Sequence, residues 1–176
     1  MEPTNNTLDF VLTVIQRFAQ AQMTTWLSGG WAEELWRLCP PREHGDVDLL
    51  YLAPNFHHLD HWLSHAQYLS PIQGKRFSHK RAVLYEQVMI EVVLLEPQSG
   101  GYVTHYFDNN YTLIWPHNSL SHLLLHGRLI PIASCQALHL HRQHYPQIAQ
   151  AYQTYLQEQR DTPSLATKQA SSIQEI

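Results

Sequence analysis

Charged residues are scarce in this chain. Only 15% of its 176 residues are Asp, Glu, Lys or Arg, against about 25% in an average domain. The 11 basic residues are outnumbered by 15 acidic ones, so the net charge of −4 argues against a general nucleic-acid binder with a strongly basic face. The two cysteines, Cys39 and Cys135, form no C-x-x-C pair, which excludes a disulfide framework and indicates free thiols in a reducing compartment.

Long apolar runs are also absent. No stretch approaches the ~18 consecutive apolar residues of a membrane span, and the first residues lack the basic start and apolar run of a signal peptide. We therefore expect a soluble cytoplasmic protein without membrane contacts. An apolar content of 44% is typical of globular proteins. We predict a single domain over residues 1–160 and a flexible polar tail over residues 161–176, as either a monomer or a homodimer.

The apolar periodicity predicts alternating helices and strands. Helices are expected over residues 8–19, 31–38, 59–69 and 134–159, with Pro146 breaking the last one in two. Strands are expected over residues 24–27, 46–52 and 127–132. A hairpin is expected from residues 81–86 and 89–95, turning around Gln87-Val88. Gly100-Gly101 and Asn109-Asn110 mark loops.

Two carboxylates share one face of the predicted strand Asp46-Val47-Asp48. The period of two places Asp46 and Asp48 on the same side, with their Cα atoms ~6.6 Å apart. Like charges at this spacing repel each other and need compensation, which a divalent cation supplies. The alternative is an ordinary surface strand, where D-x-D is common.

Glu91 interrupts the apolar run Val88–Leu95, which is typical of a central strand buried on both faces. An ionised carboxylate there is costly unless it is paired or binds a metal. The alternatives are a structural ion pair with Arg81 or Lys80 and an outward-facing position near a sheet edge.

Small residues mark the turn Ser28-Gly29-Gly30 between a predicted strand and a predicted helix. Backbone amides at such a turn suit phosphate oxygens, and the Ser28 hydroxyl adds a donor. The alternative is an ordinary tight turn.

The order of these motifs resembles the nucleotidyltransferase superfamily. Leu27-Ser28-Gly29-Gly30-Trp31-Ala32 precedes Arg42-Glu43-His44-Gly45-Asp46-Val47-Asp48, and this pair is similar to the branch holding the aminoglycoside and lincosamide nucleotidyltransferases. The resemblance covers about residues 24–96 and, less closely, the helical end. It implies an α/β (α+β) fold, with a mixed β-sheet flanked by helices and C-terminal helices.

The resemblance also implies an activity. A Mg²⁺-dependent enzyme of this kind moves a nucleoside monophosphate, expected to be AMP from ATP, onto a hydroxyl of a small molecule such as an aminoglycoside- or lincosamide-like antibiotic. Asp46 and Asp48 would bind one or two Mg²⁺ ions. Glu91 would be the third carboxylate, either as a metal ligand or as the base. The alternative function is a non-catalytic nucleotide-binding or antitoxin-type module of the same fold.

The residues assigned to the nucleoside triphosphate by resemblance and charge are Ser28, Gly29, Gly30, Arg42, His44 and Lys80. For Arg42 and His44 a purely local hydrogen-bonding role is the alternative. Lys80 belongs to the basic segment of residues 75–81, which either neutralises the triphosphate or is a solvated loop.

The histidines and the C-terminal region leave further questions open. His57, His61 and His65 share one helical face, a spacing that suits zinc but arises readily in a chain with 13 histidines. The family's C-terminal H-x-x-Y-like element often continues with acids (K-D-x-x-D), whereas His141–Tyr145 leads into Pro146-Gln147-Ile148 here. This departure leaves the identity of the acceptor open.

Overall fold

The structure, a computed structural model, describes residues 6–161. Most of the tail predicted over residues 161–176 lies outside the described residues. The helices are α1 (Leu8–Gln20), α2 (Gly29–Leu35), α3 (His57–His65) and α4 (Cys135–Asp161). The strands are β1 (Thr25–Ser28), β2 (Asp46–Leu52), β3 (Ser70–Pro71), β4 (Lys80–Tyr85), β5 (Val88–Gln98), β6 (Gly101–Tyr106), β7 (Tyr111–Pro116), β8 (Leu120–Leu125) and β9 (Arg128–Ala133).

The strands form a mixed sheet in the order β3-β4-β5-β2-β1-β9-β8. The β2–β5 and β1–β9 pairs are parallel, and the remaining neighbours are antiparallel. The β6–β7 hairpin extends from the last three residues of β5. This architecture confirms the predicted mixed sheet flanked by helices.

Helices α1 and α3 pack on one face of the sheet. Phe10 of α1 stacks on Tyr85 of β4 with ring centroids 5.4 Å apart, and Phe18 packs edge-on against Trp62 of α3. Since Tyr85 pairs with Val88, it lies on the opposite face from Glu91. Helix α4 lies on the Glu91 side and packs against β7. The apolar faces of α1 and α3 therefore leave the carboxylate face free for a site.

The C-terminal helix differs from its prediction. Pro146 lies inside one continuous helix, α4, so the predicted break was wrong. Proline removes one backbone hydrogen bond, but the helix packs on both sides of it. His141 stacks on Trp115 before Pro146, and Tyr152 contacts Phe107 after it. These contacts hold both halves on the same wall of the molecule.

The other differences concern strands. The predicted hairpin is present, but its turn lies at Glu86-Gln87, where both residues have positive φ. Strands β6, β7 and β8 were not predicted, although the loops at Gly100-Gly101 and Asn109-Asn110 are the turns on either side of β6. Among residues 6–161, no helix is long and apolar enough to cross a membrane.

Candidate active site

The predicted carboxylates meet on one face of the three central strands. Strand register pairs Asp48 with Ser28 on one side and with Glu91 on the other. Asp46 lies two residues before Asp48, so the period of two places it on the same face. Side-chain oxygens of Asp46, Asp48 and Glu91 lie within 4.8 Å of one another. This convergence agrees with the expectation from the sequence, and within residues 6–161 no other three potential metal ligands converge in this way.

The charge of Asp46 and Asp48 is only partly offset by Lys75 and Lys80. Neither side-chain carboxylate has a hydrogen bond or an ion pair within residues 6–161. Burial, reinforced by repulsion from Asp46 and Glu91, raises the pKa of Asp48 to about 7. Burial and the charge of Glu91 likewise raise the pKa of Asp46. A bound cation would favour the ionised form of both aspartates, most of all that of Asp48.

Glu91 differs from the two aspartates because two lysines contact it. Lys80 Nζ donates to Glu91 Oε2 at 2.5 Å, and Lys75 Nζ donates to Oε1 at 2.6 Å. Burial acts to raise the pKa of Glu91, but the two ammonium groups outweigh it and hold that pKa below its usual value. The alternative ion pair with Lys80 is thus present alongside the convergence with the aspartates. The outward-facing alternative was wrong, because Glu91 is only 8% exposed.

The basic segment of residues 75–81 splits between the two faces of the sheet. Lys80 pairs with Val93 across the strands and lies on the face of Glu91, whereas its neighbour Arg81 points to the opposite face. There Arg81 and Arg76 both bind the carboxylate of Asp60 on α3. The segment is therefore neither wholly solvated nor wholly directed at the site.

The turn at Ser28-Gly29 brings backbone against Asp48. Gly29 has a φ of +59°, and a Cβ atom there would lie 1.9 Å from Asp48 Oδ2. Glycine is thus required for both backbone conformation and space. The Ser28 hydroxyl does not cap α2. Ser28, Gly29 and Lys80 all line the cavity that holds the carboxylates.

Gly30, Arg42 and His44 lie outside that cavity. His44 is buried against Trp31, with ring centroids 4.3 Å apart, and its Nε2 shares a 2.8 Å hydrogen bond with Glu34. Arg42 lies 3.6 Å from Glu33. These contacts match the local hydrogen-bonding role that was the alternative for Arg42 and His44.

Asn6 was missed by the sequence analysis. Its Nδ2 donates to the backbone carbonyls of His44 and Asp46, and its Oδ1 accepts from Trp31 Nε1. Asn6 therefore fixes the start of β2, where the first carboxylate lies. A lone asparagine before a helix carries no sequence signal for such a contact.

The histidine triplet on α3 does not form a metal site of three ligands. His57, His61 and His65 are not among the converging groups of the described chain. His65 Nδ1 is instead bonded to the backbone carbonyl of His61 at 2.8 Å.

A family model matches most of the chain. The model of the aminoglycoside-2''-adenylyltransferase family matches residues 10–167. The chain belongs to this family. It is therefore a nucleotidyltransferase. No curated protein matches the chain significantly.

Solved structures from the nucleotidyltransferases share the fold. Lincosamide antibiotic adenylyltransferase LnuA with lincomycin bound gives a TM-score of 0.62 at 16% identity, covering 83% of this chain and 96% of that one. ANT(2'')-Ia in complex with adenylyl-2''-tobramycin gives 0.54 at 13% identity, covering 83% and 87%. A putative nucleotidyltransferase from Thermotoga maritima gives 0.55 at 15% identity, covering 90% and 99%.

In this adenylyltransferase-family chain, an aromatic wall faces the carboxylates across a cavity of about 350 Å³. The wall comes from β6, the turn after it, β7 and α4. Its side chains are Tyr106, Phe107, Trp115, His141, Tyr145 and Ile148. Of these, only the His141–Tyr145 element stood out in the sequence, because β6 and β7 were not predicted.

Proposed function

We propose that this protein is a Mg²⁺-dependent adenylyltransferase that moves AMP from ATP onto a hydroxyl of an antibiotic of the aminoglycoside or lincosamide kind. The observation that carries this proposal is the incompletely compensated pair Asp46 and Asp48 beside the Ser28-Gly29 turn. Family membership supports the transfer of an adenylyl group. The antibiotics bound in LnuA and ANT(2'')-Ia support the acceptor class.

The donor set fits Mg²⁺. Asp46 and Asp48 offer hard carboxylate oxygens, which this ion prefers. Both are partly buried, and burial together with the neighbouring carboxylates raises their pKa values. When bound, Mg²⁺ neutralises charge on the phosphates and on the attacking oxygen.

Lys75, Lys80 and Ser28 would contact the triphosphate. The two lysines flank the carboxylates, and each ammonium group has three N–H donors, so it can keep one on Glu91 and direct another at a phosphate oxygen. Ser28 lines the cavity, and its hydroxyl does not cap α2. The missing Cβ at Gly29 lets the chain approach closely.

Glu91 is proposed as the base rather than as a metal ligand. Its charge is already balanced by two lysines, and its lowered pKa keeps it in the form that accepts a proton. The acceptor O–H bond breaks and its proton passes to Glu91. The acceptor oxygen bonds to the α-phosphorus, the bond from that phosphorus to the bridging oxygen breaks, and pyrophosphate leaves.

The test is pyrophosphate release with transfer of label from α-³²P-ATP to pooled aminoglycosides and lincosamides. The wild-type protein should label an acceptor only when Mg²⁺ is present. Asp46→Asn should lower turnover by ~10²–10³-fold, because it removes a charge that stabilises the transition state. Asp9→Asn, the same change on the exposed side of α1, should leave turnover unchanged. Binding of Mg²⁺-ATP without release of pyrophosphate would favour a non-catalytic nucleotide-binding module.

A further inference from the structure

Tyr106 presents a buried hydroxyl without a partner at the catalytic cavity. The residue is 3% exposed and lines the cavity, yet its hydroxyl has no hydrogen bond within residues 6–161. A buried polar group of this kind is costly unless a ligand or water satisfies it. Tyr106 lines the same cavity as Asp46, Asp48 and Glu91. A ligand group that reaches Tyr106 is therefore close to the reacting centre.

The wall around Tyr106 is aromatic and uncharged. His141 stacks on Trp115 at 11° between ring planes, and Tyr145 packs edge-on against His141. Burial, together with the charge of Lys80, lowers the pKa of His141, so this imidazole is neutral at neutral pH. Phe107 and Ile148 complete an apolar surface. Such a surface binds a ring or chain with an apolar face.

No spare carboxylate faces this wall in the described part of the chain. Asp46, Asp48 and Glu91 are the acids of the cavity, and the proposed function uses all of them. Glu33 lies in the adjoining recess between α2 and α4, but Arg142 binds its Oε1 and Arg42 lies 3.6 Å from its Oε2. A second recess, beside Phe107 and Ile148, contains Lys75 and Lys80. Because these lysines hold Glu91 and Arg142 holds Glu33, an acceptor with several ammonium groups would find no free carboxylate on either side.

We infer that the acceptor is a hydroxyl compound with an apolar face and few positive charges, that it lies against the wall of Trp115, Phe107 and Ile148, and that the Tyr106 hydroxyl bonds to it. This inference rests on the proposed function and narrows its acceptor class. A polycationic aminoglycoside is disfavoured, because its ammonium groups would lie near Lys75, Lys80 and Arg142 without a free carboxylate to bind them. An acceptor with one basic amine and an apolar chain fits.

The test compares two acceptors with the full chain, Mg²⁺ and ATP. Lincomycin, with one basic amine and an apolar side chain, should give a kcat/KM ~10²-fold above that of tobramycin, which carries several amino groups. Binding of each compound to the protein with Mg²⁺-ATP is measured in parallel by calorimetry. Preference for tobramycin in either measurement, or binding of neither compound, overturns the inference.

Tyr106→Phe tests the assigned hydroxyl. It should raise the KM for lincomycin ~10-fold, the cost of one buried hydrogen bond, while the Kd for Mg²⁺-ATP is unchanged. Tyr111→Phe is the matched control, because Tyr111 faces His144 rather than the cavity. A change in Kd for Mg²⁺-ATP with no change in KM for lincomycin would assign the wall to the nucleotide and overturn the inference. Failure of the proposed function is recognised separately, because Mg²⁺-ATP would then either not bind or bind without release of pyrophosphate, whereas calorimetry still ranks the binding of the two acceptors.

Discussion

Acids on the two sides of the sheet differ in their partners: Asp60 on α3 lies on one side, and Asp46 and Asp48 of β2 lie on the other. On one face Asp60 binds Arg76 and Arg81, with Nε of Arg81 2.7 Å from Oδ1. Burial acts against the ionised form, but the two arginines hold the pKa of Asp60 below its usual value. On the other face Asp46 and Asp48 have raised pKa values and no such partner. Matched charge holds the fold together, whereas unmatched charge marks the place for a ligand.

One strand supplies both arrangements. Consecutive residues of β4, Lys80 and Arg81, point to opposite faces because side chains alternate along a strand. Arg81 joins Asp60 and also lies over the ring of Phe56 at 4.2 Å. Lys80 joins Glu91. Two lysines contact Glu91, whereas within residues 6–161 no basic side chain contacts Asp46 or Asp48. The site therefore contains a matched part, Glu91 with its two lysines, and an unmatched part, the two aspartates.

Replacing Glu91 tests the matched part of the site alone and should have the largest effect on activity. Glu91→Gln should lower kcat by ~10²–10⁴-fold, because a base is lost from the transition state. The Kd for Mg²⁺-ATP should change little, since Asp46 and Asp48 remain. Single-turnover rates and calorimetry measure the two quantities. If Glu91→Gln weakens Mg²⁺ binding as much as Asp46→Asn does, Glu91 is a metal ligand instead.

The second largest effect on activity is expected from adding a methyl group at residue 29, beside Asp48 of the unmatched part. A Cβ at residue 29 would meet Asp48 Oδ2 at 1.9 Å, so the carboxylate must move. Gly29→Ala should therefore lower kcat/KM by ~10²-fold, because misplacement by about 1 Å can cost this much. Gly74→Ala is the control, because nothing lies within 4 Å of the Cβ position there. Equal activities of the two variants would show that the contact at Gly29 is unimportant.

Removing Asp60, which is paired with two arginines, should affect the stability of the protein rather than its activity. Asp60→Asn should lower the free energy of unfolding by about 1–3 kcal/mol, since Arg81, which is only 12% exposed, loses its partner. Urea unfolding measures this change, with Asp9→Asn expected within ~0.5 kcal/mol of wild type. No loss of stability would mean that the Asp60 cluster does not hold α3 to β4.

Removing an unmatched acid should stabilise the metal-free protein. The pKa of Asp48 is about 7 in the folded protein against 3.8 in the unfolded chain. The stability gained from protonation is present in full below pH 3.8 and is lost as the pH rises through about 7. At pH 8 without Mg²⁺, Asp48→Asn should therefore raise the free energy of unfolding by one to a few kcal/mol, at ~1.4 kcal/mol per pKa unit.

The free energy of unfolding, measured again at pH 5, is the control for the direction of this change. The stability difference between Asp48→Asn and wild type should be smaller at pH 5 than at pH 8, because Asp48 is then protonated in the folded protein. Destabilisation by Asp48→Asn at both pH values would mean that Asp48 is structural.

The convergence of the three acids could be predicted from the sequence because their spacing is itself the signal. Asp46 and Asp48 are two residues apart on a strand, and Glu91 stands alone in an apolar run, so their faces follow from the period of two. The row Ser28, Asp48 and Glu91 needed only the correct order of three strands. The resemblance to nucleotidyltransferases assigned these residues to one site, and the structure supplies the order of the strands.

The rest of the site depends on contacts between distant segments. Tyr106 reaches the cavity from the β6–β7 hairpin, whose mixed Tyr, Thr and His content gave no clear strand pattern. Lys75 reaches Glu91 from a short helical turn outside any strand. Pro146 was interpreted from local propensity alone, whereas packing of α4 on Trp115 and Phe107 decides its conformation.

The central claim is that Asp46 and Asp48 carry unmatched charge that a divalent cation with a triphosphate balances. Calorimetric titration of ATP, with and without Mg²⁺, tests it most directly on wild type, Asp46→Asn, Asp48→Asn and the control Asp9→Asn. The account predicts tight, Mg²⁺-dependent binding to wild type and Asp9→Asn, with the Mg²⁺ dependence lost in both site variants. Equal Mg²⁺ dependence in all four proteins would contradict it.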